Sequence, residues 1–228
     1  MSALSSQDAL SRALADYRSG DYESALLTLA EAEVDEANYL DLAYILGLCH
    51  ARLGRHDEAL LYLEQVVTSG ADDARVKQCR LALSYVYSVT GRSKLAEYEL
   101  KKLIEGGDES VQVLASLGYA SWAQGRLDEA LSWYAKALDK APDNLNALNG
   151  YGYILACKDG DLKKALACCR KAVEGSPGNP AYADSLGWTY LLLGMVDEAK
   201  RFLEYAAGKL PANDEVKRHM ERLRKAEA

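Results

Sequence analysis

Six glycines, Gly20, Gly54, Gly91, Gly125, Gly160 and Gly194, succeed one another at steps of 34, 37, 34, 35 and 34 residues. Each is followed five residues later by an alanine: Ala25, Ala59, Ala96, Ala130, Ala165 and Ala199. Self-similarity at a period near 34 is the mark of a helical repeat array, in which no unit buries its apolar face alone and each must stack on its neighbours. Such an array presents long faces, so the expected product is a binding surface and not a catalytic pocket.

The repeated positions predict a helix, a turn and a second helix in every unit. Each glycine closes an apolar-periodic stretch, where a left-handed residue without a Cβ ends a helix at no steric cost. Seven residues earlier stands a small residue, Ala13, Gly47, Ser84, Gly118 and Gly187, with Gly152 displaced by one. Facing the alanine of the next helix, these would let two antiparallel helices approach to about 8–10 Å. Leu46, Leu83, Leu117, Tyr151 and Leu186 precede the small residues, and Leu29, Leu63, Leu100, Tyr134, Cys169 and Leu203 lie four residues beyond the alanines. At helical spacing they form one core-facing stripe per helix. Pro142, Pro177 and Pro211 recur twelve residues after their alanines and stop the second helix.

With Leu-Gly-Tyr at 117–119, Leu-Gly-Trp at 186–188, Gly-Arg-Leu-Asp-Glu-Ala at 125–130 and the closing prolines, the chain resembles the tetratricopeptide repeat family, with a bacterial style of repeat. The resemblance implies an all-α fold, a right-handed α-solenoid of six helix-turn-helix units at about 6–39, 40–73, 74–110, 111–144, 145–179 and 180–212. A capping helix over 213–228 would follow, giving thirteen helices and no strand. No Pro-, Gly- or Ser-rich linker interrupts the phase, so 6–212 reads as one domain. The first unit departs from the pattern at Arg12, as suits a terminal repeat with one face in water. Extra residues are expected in the Ser-Gly-Ala-Asp-Asp junction at 69–73 and in the turn at Lys158–Gly160. In the last helix Val216, Met220 and Leu223 share one face, while Lys217, Arg218, Arg222, Arg224 and Lys225, mixed with acids, read as a solvated one.

A net charge of −7 without a clustered basic surface argues against a nucleic-acid partner. Residues 1–75 carry 14 acids against 5 arginines, which would steer a basic partner toward that end or simply form a solvated acidic face. The N-terminus has no basic region followed by an apolar run, and no window approaches 18 apolar residues, so neither secretion nor membrane insertion is expected. Five cysteines in that setting indicate a reducing, cytoplasmic compartment and free thiols. The spacing of Cys157, Cys168 and Cys169 fits no zinc pattern, so no metal and no cofactor is expected. His50, His56 and His219 lack a nucleophile motif, and the glycines do not build a phosphate loop. Asp128 and Glu129 sit in the first turn of a helix, where they offset its dipole. No enzyme is expected.

The informative face is the one left over once the core is assigned. Tyr85, Tyr119, Tyr153 and Trp188 recur at 34, 34 and 35 residues on the first helices, and Gln78, Gln112 and Asn146 stand seven residues before the three tyrosines. Two helical turns return to nearly the same face, within about 20°. In the family the chain resembles, first helices line a concave groove, which implies that this aromatic and amide ladder faces one. Tyr44, Trp122, Asn149 and Asp184 share the groove spacing, as do Leu48 and Leu191, and no lysine or arginine does. A carboxylate clamp is therefore not expected. An extended or helical peptide with apolar side chains suits the face, its backbone met by amides and its side chains by rings. The same rings could instead only fill the space between successive first helices.

Two functions follow. One is an adaptor or assembly factor that binds a peptide segment of a partner protein in the groove. The other is a self-associating scaffold, a homo-oligomer in which one copy inserts its N-terminal helix or convex face into another's groove.

Overall fold

A computed structural model describes residues 5–33, 35–69, 74–158 and 160–227; of the insertions expected in the 69–73 junction and at Lys158–Gly160, residues 70–73 and 159 lie outside them. Among the described residues there are thirteen α-helices, one 3-10 turn at Glu36–Asn38, and no strand. None of the helices is long and apolar enough to cross a membrane. The chain forms two compact units, Met1–Asp108 and Glu109–Ala228.

The first unit holds three antiparallel pairs: α1 (Ser6–Ser19) with α2 (Tyr22–Ala30), α3 (Tyr39–Arg52) with α4 (His56–Thr68), and α5 (Ala74–Val89) with α6 (Ser93–Glu105). The second holds α7 (Val111–Trp122) with α8 (Leu127–Lys140), α9 (Leu145–Cys157) with α10 (Leu162–Gly175), and α11 (Pro180–Leu192) with α12 (Val196–Lys209), followed by α13 (Asp214–Glu227).

All six period alanines are fully buried, and the residues four positions beyond them are at most 6% exposed. The small residues of the first helices meet these larger residues and not the alanines alone. A Cβ on Gly47 would stand 2.7 Å from Leu63, and one on Gly118 or Gly187 would stand 2.8 Å from Tyr134 or Leu203. Gly152 faces Cys169 in the same way, with the Ala165 carbonyl beside it. The close approach is therefore real in these four pairs, but the side chain that fills it lies one helical turn further along.

At the turns, the N–H after the glycine bonds a carbonyl five residues back, as in Asp21 to Asp16 (2.9 Å) and Arg126 to Ser121 (3.0 Å). That bond requires the left-handed glycine, and Gly125 has φ 76°. Gly160 differs from the other five in that its own N–H reaches a carbonyl five residues back, Leu155 O at 3.0 Å.

In the second unit a Pro-x-Asn step punctuates the array. Pro142, Pro177 and Pro211 each follow a helix end by two residues, and Asn144, Asn179 and Asn213 then accept N–H bonds from the next helix, at 2.9 Å for Ala147. Proline denies the old helix a donor while asparagine supplies the new one with an acceptor. The asparagines recur at the proline spacing, a signal present in the sequence beside the prolines.

Candidate functional site

In the second unit the first helices bring their aromatic residues into one run. Tyr119 and Trp122, a turn apart on α7, meet at 5.4 Å between ring centroids, and Trp122 stands edge-on to Tyr153 of α9 at 6.0 Å and 79°. The next ring is His219 of α13, 6.0 Å from Tyr153 and stacked on Trp188 of α11 at 4.3 Å and 18°. A histidine from the last helix thus links the two ends of the ladder.

The last helix thus does more than cover the end of the array, the role expected of it. Val216, His219 and Leu223 project from one face of α13 at helical spacing and are buried, with Met220 half-buried beside them. Asp184 is buried as well, its carboxylate accepting from His219 Nδ1 at 2.9 and 3.0 Å. The Tyr153 hydroxyl donates to Glu215 Oε1 at 2.5 Å. Burial, reinforced by that bond, pushes the Tyr153 phenol well above its usual range. Trp188 is therefore covered by the chain's own helix, while Asp184 is buried and bonded to that helix at the edge of the site. The sequence signals for this were the isolated His219 and a glutamate one residue before the apolar stripe of α13, neither of which names its target.

Beside the covered end lies a cavity of about 270 Å³ whose lining includes Tyr119, Trp122, Asn149, Tyr153, Asp184 and Glu215, and no lysine or arginine. Tyr134 lines it too, although it belongs to α8, a second helix. Its ring passes Gly118, and a Cβ on Gly150 would collide with the ring tip. Tyr134 replaces the leucine or cysteine of five other units, and Gly150 clears its path to the groove. Burial raises the Tyr134 phenol above its usual range, and burial with Glu215 nearby does the same for Tyr119, so both remain hydroxyl donors at neutral pH.

Asn149 supplies the polar group. Its Oδ1 is buried and has no hydrogen-bond donor within the protein, and the Trp188 indole nitrogen is likewise buried without an acceptor that meets hydrogen-bond geometry. The other amides are less available than the ladder suggests. Asn146 accepts from the Tyr182 hydroxyl, while Gln112 is exposed.

In the first unit, Gln78 accepts from Tyr44 at 2.6 Å, so one expected ligand-binding residue satisfies another. Tyr85 is 55% exposed. Leu48 and, in the second unit, Leu191 are buried and contribute to the core.

A model described as tetratricopeptide repeat matches residues 10–74, 81–145 and 117–180. A TPR repeat-containing protein of Pseudomonas aeruginosa is 26% identical over 169 residues, which are 74% of this chain and 28% of that protein. The chain thus spans little more than a quarter of that relative. Among solved structures, a thermophilic TPR protein of Thermus thermophilus superposes with a TM-score of 0.62 at 22% identity, covering 81% of this chain and 98% of that one. YrrB, described as a TPR protein with an unusual peptide-binding site, superposes with a TM-score of 0.54 at 20% identity, covering 82% and 92%. These likenesses establish the fold.

Proposed function

The chain belongs to the tetratricopeptide repeat family, and from that premise we propose that it is an adaptor or assembly factor holding a short segment of a partner protein in the aromatic cavity of its second unit. Asn149 carries this reading. A buried acceptor left without a donor costs about 1–3 kcal/mol, and turning the half-buried Asn149 amide toward the cavity would let a backbone N–H of an extended segment satisfy it. Tyr119 and Trp122 offer flat, amphipathic area against which an apolar side chain packs at low entropic cost. Asp184 and Glu215 are the charged groups of the lining, so a neutral or basic segment fits and a free carboxylate does not. Because α13 closes the end at Trp188, the segment contacts Tyr119, Trp122, Tyr134 and Asn149 and not the whole ladder. The likeness in fold to YrrB is in keeping with a peptide ligand.

The test uses peptides selected from a random displayed library against the full chain, with affinity measured by calorimetry. Trp122→Ala and Asn149→Leu should each weaken binding tenfold or more, about 1.4 kcal/mol, without loss of helicity. Tyr85→Ala, in the other unit, should leave it unchanged. Selected peptides that bind both cavity variants as tightly as the parent chain would overturn the proposal.

A further inference from the structure

The outer side of the first unit carries an apolar ladder that the groove does not use. Leu27 of α2, Leu61 of α4 and Tyr98 of α6 each stand two residues after the period alanine and are 63%, 57% and 55% exposed. Leu95, one turn before Tyr98, is 48% exposed. At the same register the second unit carries Ser132, Ala167 and Arg201. The position thus tolerates polar or small residues, and the large apolar ones are confined to one unit.

The charges around the ladder change sign along it. Positions three and four residues away share a helix face. Around Leu27 these include Glu23 and Glu31, and around Leu61 they include Asp57, Glu58 and Glu64. Around Tyr98 they are Lys94, Leu95, Lys101 and Lys102. Glu23 already pairs with Arg55 at 2.7 Å, Lys101 with Glu97 at 2.6 Å, and Lys102 with Glu105 at 2.7 Å. The Arg55–Glu23 and Lys102–Glu105 pairs are solvated on both sides, so they contribute little and can be exchanged for partners across an interface, whereas Lys101 is held by the buried Glu97 carboxylate.

We propose that this face is a homodimer interface, in which a second copy packs antiparallel so that its basic α6 meets the acidic α4 of the first. A two-fold axis sets each patch against its complement twice, which an apolar ladder with opposite charge at its two ends requires. The axis runs between α4 and α6, so Tyr98 of each copy lies against Leu61 of the other, and Leu27 lies at the outer edge of the patch. The interface is separate from the cavity and stands whether or not that cavity binds a peptide.

Sedimentation equilibrium of the full chain, at concentrations from about 1 to 300 μM, tests it. A monomer–dimer equilibrium that weakens with salt is expected, and Leu61→Ser should weaken it tenfold or more. Two charge variants are decisive: one carrying Asp57→Lys and Glu58→Lys, the other Lys94→Glu and Lys102→Glu. Each should be monomeric alone, and an equimolar mixture should form a heterodimer. These side chains are solvated, so circular dichroism should stay that of the parent chain. A chain monomeric throughout this range, including one that binds a different protein on this face, would overturn the proposal. So would a dimer indifferent to Leu61→Ser, or a mixture that stays monomeric.

Discussion

His219 of α13 places its Nδ1 2.9 Å from the Asp184 carboxylate of α11, with both side chains less than 10% exposed. The contact joins residues 35 apart and turns the last helix from an end cover into a part of the site wall. Its ring also stacks on Trp188, so one side chain holds both the acid and the indole.

Removing either partner should therefore loosen α13. Asp184→Ala leaves a buried imidazole without its acceptor and should cost about 1–3 kcal/mol in urea unfolding. His219→Ala strands a buried carboxylate and loses the stack, so it should cost more. Deleting residues 213–228 removes buried Val216 and Leu223 as well and should lower the melting temperature further. An unchanged melting temperature after the deletion would mean that α13 contributes nothing to the fold.

Two glycines of one repeat should fail for different reasons. At Gly118, alanine brings a Cβ to 2.8 Å from the Tyr134 ring, which is clamped in the core, so Gly118→Ala should cost about 1–3 kcal/mol through overpacking. At Gly125 there is open space but φ is 76°, so Gly125→Ala should cost about 1 kcal/mol through backbone strain. Tyr134→Leu should rescue the first and not the second. Thermal unfolding of the three single variants and the two doubles checks this.

Stability should fall on acidification through His50. Its ring stacks on Tyr62 at 5.8 Å, and its Nδ1 is buried without a partner. Burial depresses its pKa below 6.5, with Glu58 opposing the shift and Arg55 assisting it. The unfolded chain then takes up a proton near pH 6.5 while the folded chain does so only at lower pH, so this contribution is present above pH 6.5 and lost as pH falls. His50→Phe keeps the stacked ring and should flatten the urea-unfolding profile between pH 7 and 5 relative to the parent chain. Parallel profiles would exclude this role.

The thiols should separate by burial. Cys49 and Cys169 are buried, with thiols pushed up to about 11 and about 12, so thiolate is scarce in the native state. Cys157 is exposed at the end of α9 and should react first with a disulfide reagent at pH 8. Mass mapping after brief native labelling should find Cys157, and labelling in denaturant should find all five. Early modification of Cys169 would contradict the packing of α10 against α11.

The period itself determined the helix pairs, their turns and most of their core. Gly20, Ala59 or Pro142 acts through backbone conformation or volume within one unit, and such local requirements are written at fixed intervals in the sequence. The amphipathic stripe of α13 likewise declared that the helix would dock. Where it docks was decided only in three dimensions. The seat of His219 against Asp184 and of Glu215 against Tyr153 couples residues 35 and 62 apart, and no repeated spacing announces either pair. The path of Tyr134 past Gly118 and Gly150 into the groove is decided in the same way, because it needs two vacancies on different first helices to line up. Local chemistry can be read along a chain, whereas a shared cavity exists only once separate elements have packed around it.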